Sequence, residues 1–306
     1  MRTLQYLTRE DVRGLLPPLD AQLELVDRTY RAHVEGRIEL PPKPGIHPRP
    51  DSFIHAMPAY LRDDDVAAIK WVAGFPANKA RGLPYITGLV VLNDADTGLP
   101  IAIMDAAEIT AVRTAAASGV CIRRFAPNDW SEAAILGCGE QGRFHARLLP
   151  ALNPKVKIRA YDPHPERIEQ LEGNVVAAPG WREAIDGADV VLSAGPIVTD
   201  PDPPIAPEDL APRMLGLPID FDFYFSAAAV AAADFFLVDD VGQFEYYRSL
   251  GHFSDWPEPH GTVGGDYPPA GRIVCCNLGI GALDAAFAKH VLERARANGV
   301  GTELPL

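Results

Sequence analysis

The sequence predicts an α/β protein of two domains, and three observations carry that prediction. At 306 residues the chain is about twice the length of an ordinary single domain. Beyond residue 128 short apolar runs alternate with helical spacing, the pattern of parallel strands joined by crossover helices. The first such run, Ala133–Leu136, meets a helix through the glycine-rich turn Gly137-Cys-Gly-Glu-Gln-Gly142.

The elements follow in order. Thr8-Arg-Glu-Asp11 has the form of a helix N-cap with acids in the first turn, and residues 11–36 keep helical spacing. Residues 40–50 are too rich in proline to be regular. Strand-like runs at 53–60, 66–73 and 86–93, with a turn at Asn93–Gly98, favour an antiparallel sheet. The alanine-rich stretch Asp105–Arg124 reads as one long helix, and Pro127-Asn-Asp129 as a boundary. Strands are then expected at 133–136, 155–161, 175–178, 189–194, 214–219 and 235–238, with helices among the first of them. From Asn277 the chain reads as an alanine-rich helix and a short tail. The expected domains are 1–127 together with 277–306, and 128–276.

Composition removes several classes of function. Hydrophobic residues at 47% and charged residues at 23% suit a globular chain with buried cores. Asp and Glu outnumber Lys and Arg by 41 to 28, a formal charge of −13. A general binder of nucleic acid or of a membrane surface needs the opposite sign. Cys121, Cys138, Cys275 and Cys276 form no Cys-x-x-Cys pair, so neither a disulfide framework nor a bound metal is expected. The charged N-terminus lacks a signal-type apolar stretch, and the longest apolar region, 226–238, is too short to span a bilayer. The expected location is the cytoplasm.

The glycine turn carries the sharpest chemistry. Between strand and helix, G-x-G-x-x-G is a dinucleotide fingerprint. Gly137 permits the tight turn, Gly139 lets backbone approach a pyrophosphate, and Gly142 lets helix and strand pack closely. The helix start, with Glu140 and Gln141, offers free N–H groups to the anion. Asp162 ends the second strand, 20 residues after Gly142, where an acid accepts the ribose hydroxyls. A carboxylate there repels a 2′-phosphate, so NAD is favoured over NADP, with Arg159 and Arg167 nearby as a counterweight. The domain is therefore read as a Rossmann domain.

The segment before it must supply a substrate face, an oligomer interface or both. Lys43, His55, Lys70, Arg113 and Thr114 stand out. Lys70 lies in an apolar run and needs a partner unless it faces water from an edge strand. Arg113 lies in an apolar helix and should fork onto a carboxylate or phosphate, from a ligand or from Asp105 or Glu108. His55 reads as a strand residue facing a loop. Later, Asp220 and Asp222 follow a strand on the ligand side of a parallel sheet.

The runs MPAYL (57–61), IKWVAGFPAN (69–78), RGLP (81–84), VLNDADTGLPIAIMDAAEITAVRTAAAS (91–118) and GCGEQGRFHARLL (137–149) resemble the ornithine cyclodeaminase/mu-crystallin family from about Leu40 to Asp284. The resemblance implies a Rossmann domain joined to an α/β domain that forms homodimers and receives the C-terminal helix. It implies that Lys70 and Arg113 face a substrate carboxylate, joined by Lys43 where relatives carry arginine, with Thr114 near the cofactor phosphates. It also implies a catalytic aspartate, best matched by Asp222 and next by Asp220, at the amine or imine nitrogen, with Lys70 beside it. The stretch IDFDFYFS replaces the Gly-Asp-x-Pro-Gly-Lys-x-Glu pattern of ornithine-cyclising members. The expected function is hydride exchange between NAD(P) and a small amino acid or its imine. The alternatives are a cyclodeaminase that uses NAD catalytically and releases ammonia, and a non-catalytic protein binding nucleotide and a small ligand.

Overall fold

The computed structural model describes residues 2–306, and the chain divides into two compact units. One comprises Met1–Arg113 and Gly279–Leu306; the other comprises Thr114–Leu278. The first holds strands β1 (Thr3–Leu7), β2 (Ile38–Glu39), β3 (Gly45–Ile46), β4 (Phe53–Leu61), β5 (Val66–Gly74), β6 (Ile86–Asp94) and β7 (Pro100–Asp105), and helices α1 (Arg9–Leu15) and α2 (Leu19–Val34). Helix α3 (Ala107–Phe125) follows, and the division falls inside it. The sequence reading put that change at 127/128, at the first turn residues; an apolar helix gives no local signal of where its neighbours change.

The second unit adds β8 (Glu132–Leu136), α4 (Glu140–Leu152), β9 (Lys157–Tyr161), α5 (Pro165–Ile168), β10 (Val175–Ala177), α6 (Trp181–Ile185) and β11 (Val190–Ser193). It continues through β12 (Met214–Pro218), α7 (Ala227–Ala231), β13 (Phe235–Val238), α8 (Val241–Ser249), β14 (Gly261–Thr262) and β15 (Arg272–Cys276). The chain then returns to the first unit as α9 (Gly281–Asn298) and β16 (Thr302–Pro305).

The first unit is a sheet in the order β16-β1-β7-β6-β5-β4-β2, with β3 also on β4. All its pairs are antiparallel except β1 with β7. Burial alternates along β5, so Ala68, Lys70 and Val72 point to the covered face and Trp71 to the other. Helix α9 packs on β4, β5 and β6 and supplies that cover. The single helix expected over 11–36 is two, because Pro17 and Pro18 interrupt it. Thr8 does cap α1: its hydroxyl accepts from Asp11 N–H while Asp11 accepts from Thr8 N–H. The expected tail is strand β16, whose pairing with β1 no local spacing announces.

The second unit is an all-parallel sheet in the order β10-β9-β8-β11-β12-β15-β13-β14. Its first five strands run 3-2-1-4-5 in the unit's own count, the Rossmann order. The chain winds outward from β8 in one direction, then restarts beside it at β11. The strand order therefore switches between β8 and β11, where an open parallel sheet leaves a crevice at its carboxyl ends. Strand β15 was not expected and inserts between β12 and β13, a long-range pairing. Among the described residues no helix is long and apolar enough to cross a membrane.

Candidate active site

The glycine turn lies at the switch point. Gly137 has φ +92°, and a Cβ there would lie 2.5 Å from the carbonyl oxygen of Ala194, in the loop after β11. A Cβ on Gly142 would lie 2.4 Å from the Gly137 carbonyl oxygen, so α4 and the turn touch through backbone. Around Gly139 there is open space: an added Cβ meets nothing within 4 Å. The N-cap of α4 is Gly139, which has no side chain to cap the helix, and the start of a helix directs backbone N–H groups toward an anion. The side-chain oxygen of Gln141 is buried without a hydrogen-bond partner. The open backbone approach at Gly139 and the start of α4 fit a nucleotide pyrophosphate, whereas the Gln141 oxygen, an acceptor, suits a donor such as a hydroxyl.

Asp162 is buried beside this turn. Its Oδ2 accepts from Cys138 N–H at 2.8 Å; its Oδ1 accepts from His164 N–H at 2.9 Å and from Arg167 at 3.3 Å. A carboxylate has about four acceptor directions, so one remains for a ribose hydroxyl. His145 is a residue the sequence reading passed over. Fully buried on α4, its Nδ1–H donates to Gln141 O at 2.8 Å, and its Nε2 pairs with the Ser118 hydroxyl of α3 at 2.9 Å. That bond ties the helix of the glycine turn to the helix carrying Thr114, itself buried one turn before Ser118. Burial holds the imidazole down at about 4, so it is neutral.

The cations of the first unit converge on an acid that the sequence reading did not single out. Lys70 is fully buried in β5, a central strand, so the edge-strand reading is wrong. Its Nζ lies 2.9 and 2.8 Å from the two oxygens of Asp284 on α9, and 3.2 Å from Thr110 Oγ1. Arg113 Nε donates to Asp284 Oδ1 at 3.2 Å. The suggested partners are engaged elsewhere: Glu108 pairs with Arg9 and Arg13, and Asp105 accepts from Ala107 N–H at the start of α3. Lys43, also buried, donates to Gly279 O at 3.1 Å. His55 is buried too, stacked on Phe53, with its imidazole pushed down to about 3 by burial first and then by Lys43, His47 and Lys70. Burial also lowers Lys70, to about 8, against the pull of Asp284. Lys70, Arg113 and Asp284 together carry one net positive charge out of water, which favours an incoming anion.

Asp220 and Asp222 point apart because Phe221 between them adopts φ +63°, a conformation an L side chain holds only when its surroundings enforce it. Asp220 turns to the carboxyl end of β11, accepting from Ser193 Oγ at 2.5 Å and Gly195 N–H at 2.7 Å. Burial raises its carboxyl to about 7. Asp222 turns the other way, accepting from Phe253 N–H at 2.7 Å with His252 Nδ1 at 3.4 Å. The ring of Phe221 packs edge-on against Tyr247 and His252 and tilted against Phe253. The loop after β11 thus lies against both Gly137 and Asp220, while Asp222 is held by Phe253 and His252.

Residues 4–207 match the model of the ornithine cyclodeaminase/mu-crystallin family. The chain belongs to that family. Nodulation efficiency protein NfeD of Rhizobium meliloti is 36% identical over 324 aligned positions that cover 98% of each chain. Alanine dehydrogenase of Archaeoglobus fulgidus is 35% identical over 162 residues, 53% of this chain and 49% of that one. A solved archaeal alanine dehydrogenase dimer with bound NAD is similar over 100% of both chains, with TM-score 0.86 and 25% identity. The family match stops before Asp220, Asp222 and Asp284, so their roles rest on their own geometry.

Proposed function

We propose that the protein is an NAD-dependent oxidoreductase acting on a small amino acid or its imine. The observation that carries this reading is the buried, net-positive group of Lys70, Arg113 and Asp284, in a chain whose second unit holds a nucleotide-binding turn. The family and the NAD-bound alanine dehydrogenase support it.

When bound, NAD supplies a hydride acceptor, or NADH a donor. The open backbone at Gly139 and the start of α4, with Glu140 and Gln141, hold the pyrophosphate, and Thr114 supports that helix pair. Asp162 accepts a ribose hydroxyl and disfavours a 2′-phosphate. Lys70 and Arg113 fix the substrate carboxylate, with Lys43 as a further ammonium group. Lysine there keeps the charge of arginine but offers no two-pronged fork.

For the proton we assign Asp220 ahead of Asp222. A carboxyl near 7 can take the proton an amine loses on oxidation and return it in the reverse direction. The bonds of Asp222 to Phe253 and His252 suit it to holding its loop. We further propose a homodimer, supported by the apolar outer face of the first sheet: Trp71 and Leu89, opposite one another on β5 and β6, are 49% and 42% exposed. The four buried cysteines, none disulfide-bonded, fit a cytoplasmic place.

The experiment is a panel of L-alanine, L-proline and L-ornithine with NAD, following the reduced-nicotinamide band. A net absorbance rise with alanine or proline is expected. Ammonia released from ornithine without net absorbance change would replace this reading by the cyclodeaminase one. Tight NADH binding with no turnover of any substrate would leave a binding protein.

A further inference from the structure

We propose that Asp284 is a positioning residue: it holds Lys70 and Arg113 in place for a carboxylate and keeps the Lys70 ammonium charged. This rests on the oxidoreductase reading above. Asp284 is 1% exposed, in the first turn of α9, and contacts both cations directly. The same stretch of chain orders the rest of the group. Gly279 has φ +83°, and a Cβ on it would lie 2.7 and 2.9 Å from the two terminal nitrogens of Arg113. Its carbonyl accepts from Lys43. One short segment, Gly279–Asp284, therefore touches all three cations.

The electrostatics give Asp284 a task that shape alone does not. Lys70 faces Asp284 from α9, Arg113 and Thr110 from α3, and His55 from β4. Its direct cross-strand neighbours, Met57 and Val90, are apolar. Among the described residues Asp284 is thus the anion that acts on the Lys70 ammonium, which burial and Arg113 both work against. Without it Lys70 loses its proton at lower pH, and the cradle loses a charge. Arg113 donates to Asp284 through Nε alone, so its terminal nitrogens are not used in that bond and can serve the two-pronged contact a carboxylate takes.

The test titrates pyrrole-2-carboxylate, a planar carboxylate analogue of a cyclic imino acid, into the NADH-loaded full-length protein between about pH 6 and pH 10. Binding to the unmodified protein should weaken as pH rises through the Lys70 range. In Asp284→Asn we expect Kd to rise about tenfold or more and the alkaline loss to begin about one pH unit lower, with NADH affinity unchanged. Asp284→Glu keeps the charge and should keep the alkaline limb while raising Kd less. A merely structural role would lower thermal stability without moving that limb. Unmodified Kd and pH profile in Asp284→Asn, with weakened binding in Lys70→Met and Arg113→Met, would overturn the inference and leave the proposed function standing. Unchanged binding in all three, or no binding to the unmodified protein, would overturn both. Should Asp284→Asn not fold, Asp284→Glu decides: moving the carboxylate by one methylene must raise Kd, and an unchanged Kd overturns the proposal.

Discussion

Two alanine substitutions in the glycine turn separate packing from ligand approach. In Gly142→Ala the new Cβ would lie 2.4 Å from the Gly137 carbonyl oxygen, a full 1.0 Å inside an ordinary contact at 3.4 Å. The oxygen is backbone and the position of a Cβ is fixed by its own backbone, so the turn or the helix must move by about that distance. Overpacking of this kind costs about 1–3 kcal/mol, and the better helix propensity of alanine returns up to about 1 kcal/mol. Gly142→Ala should therefore lose up to about 3 kcal/mol of stability. A shift of about 1 Å at the pyrophosphate also predicts NADH binding weakened by about tenfold or more. Gly139→Ala differs. Its φ of −72° suits any residue, and its Cβ meets nothing within 4 Å. The only stability term is the poorer N-cap, about 1 kcal/mol or less. Its Cβ would fill the space left for the anion, so NADH affinity should fall as far as in Gly142→Ala while stability nearly holds. NADH fluorescence titration and urea unfolding measure the two quantities. NADH bound by Gly139→Ala as tightly as by the unmodified protein would refute the placement of the pyrophosphate at this turn.

Asp162→Ala should weaken NADH about tenfold and leave NADPH little changed, narrowing the gap between them; equal starting affinities in the unmodified protein would sink the assignment. Asp220→Asn should lower turnover by about 10²-fold or more, the scale of a lost general acid/base. It should also stabilise the fold above pH 7. The folded pKa, about 7, exceeds the ordinary 3.8, so ionisation costs stability as pH rises between those values, and asparagine does not ionise. Asp222→Asn should instead lower the melting temperature with less than a tenfold loss of turnover; the reverse pattern would return the acid to Asp222. For His145 the folded value of about 4 lies below 6.5, so the unfolded chain takes its proton first. His145 should account for about 3 kcal/mol of the stability lost between pH 6.5 and 4, and His145→Gln should lack that share while His55 still contributes its own; equal acid sensitivity of the two proteins would remove His145 from the account.

What the sequence by itself determined is mostly local. The glycine turn, the acid 20 residues beyond it and the alternation of strand and helix depend on spacings within one or two elements, and they sufficed for the parallel sheet of a Rossmann domain. Capping by Thr8 was legible for the same reason, and so was the need of Lys70 and Arg113 for an anion, since an isolated buried charge is costly wherever it lies. Which anion answers that need was decided only by the tertiary structure. Asp284 stands 214 residues from Lys70 and 171 from Arg113, and in a linear reading an acid in the first turn of a helix merely complements the helix dipole. The packing of α9 on β5 is what brings these groups together. The pairing of β16 with β1, the insertion of β15 between β12 and β13, and the opposite turns of Asp220 and Asp222 about Phe221 are of the same kind. Each depends on which distant segment fills the space beside a residue, and residue spacing along the chain holds no record of that.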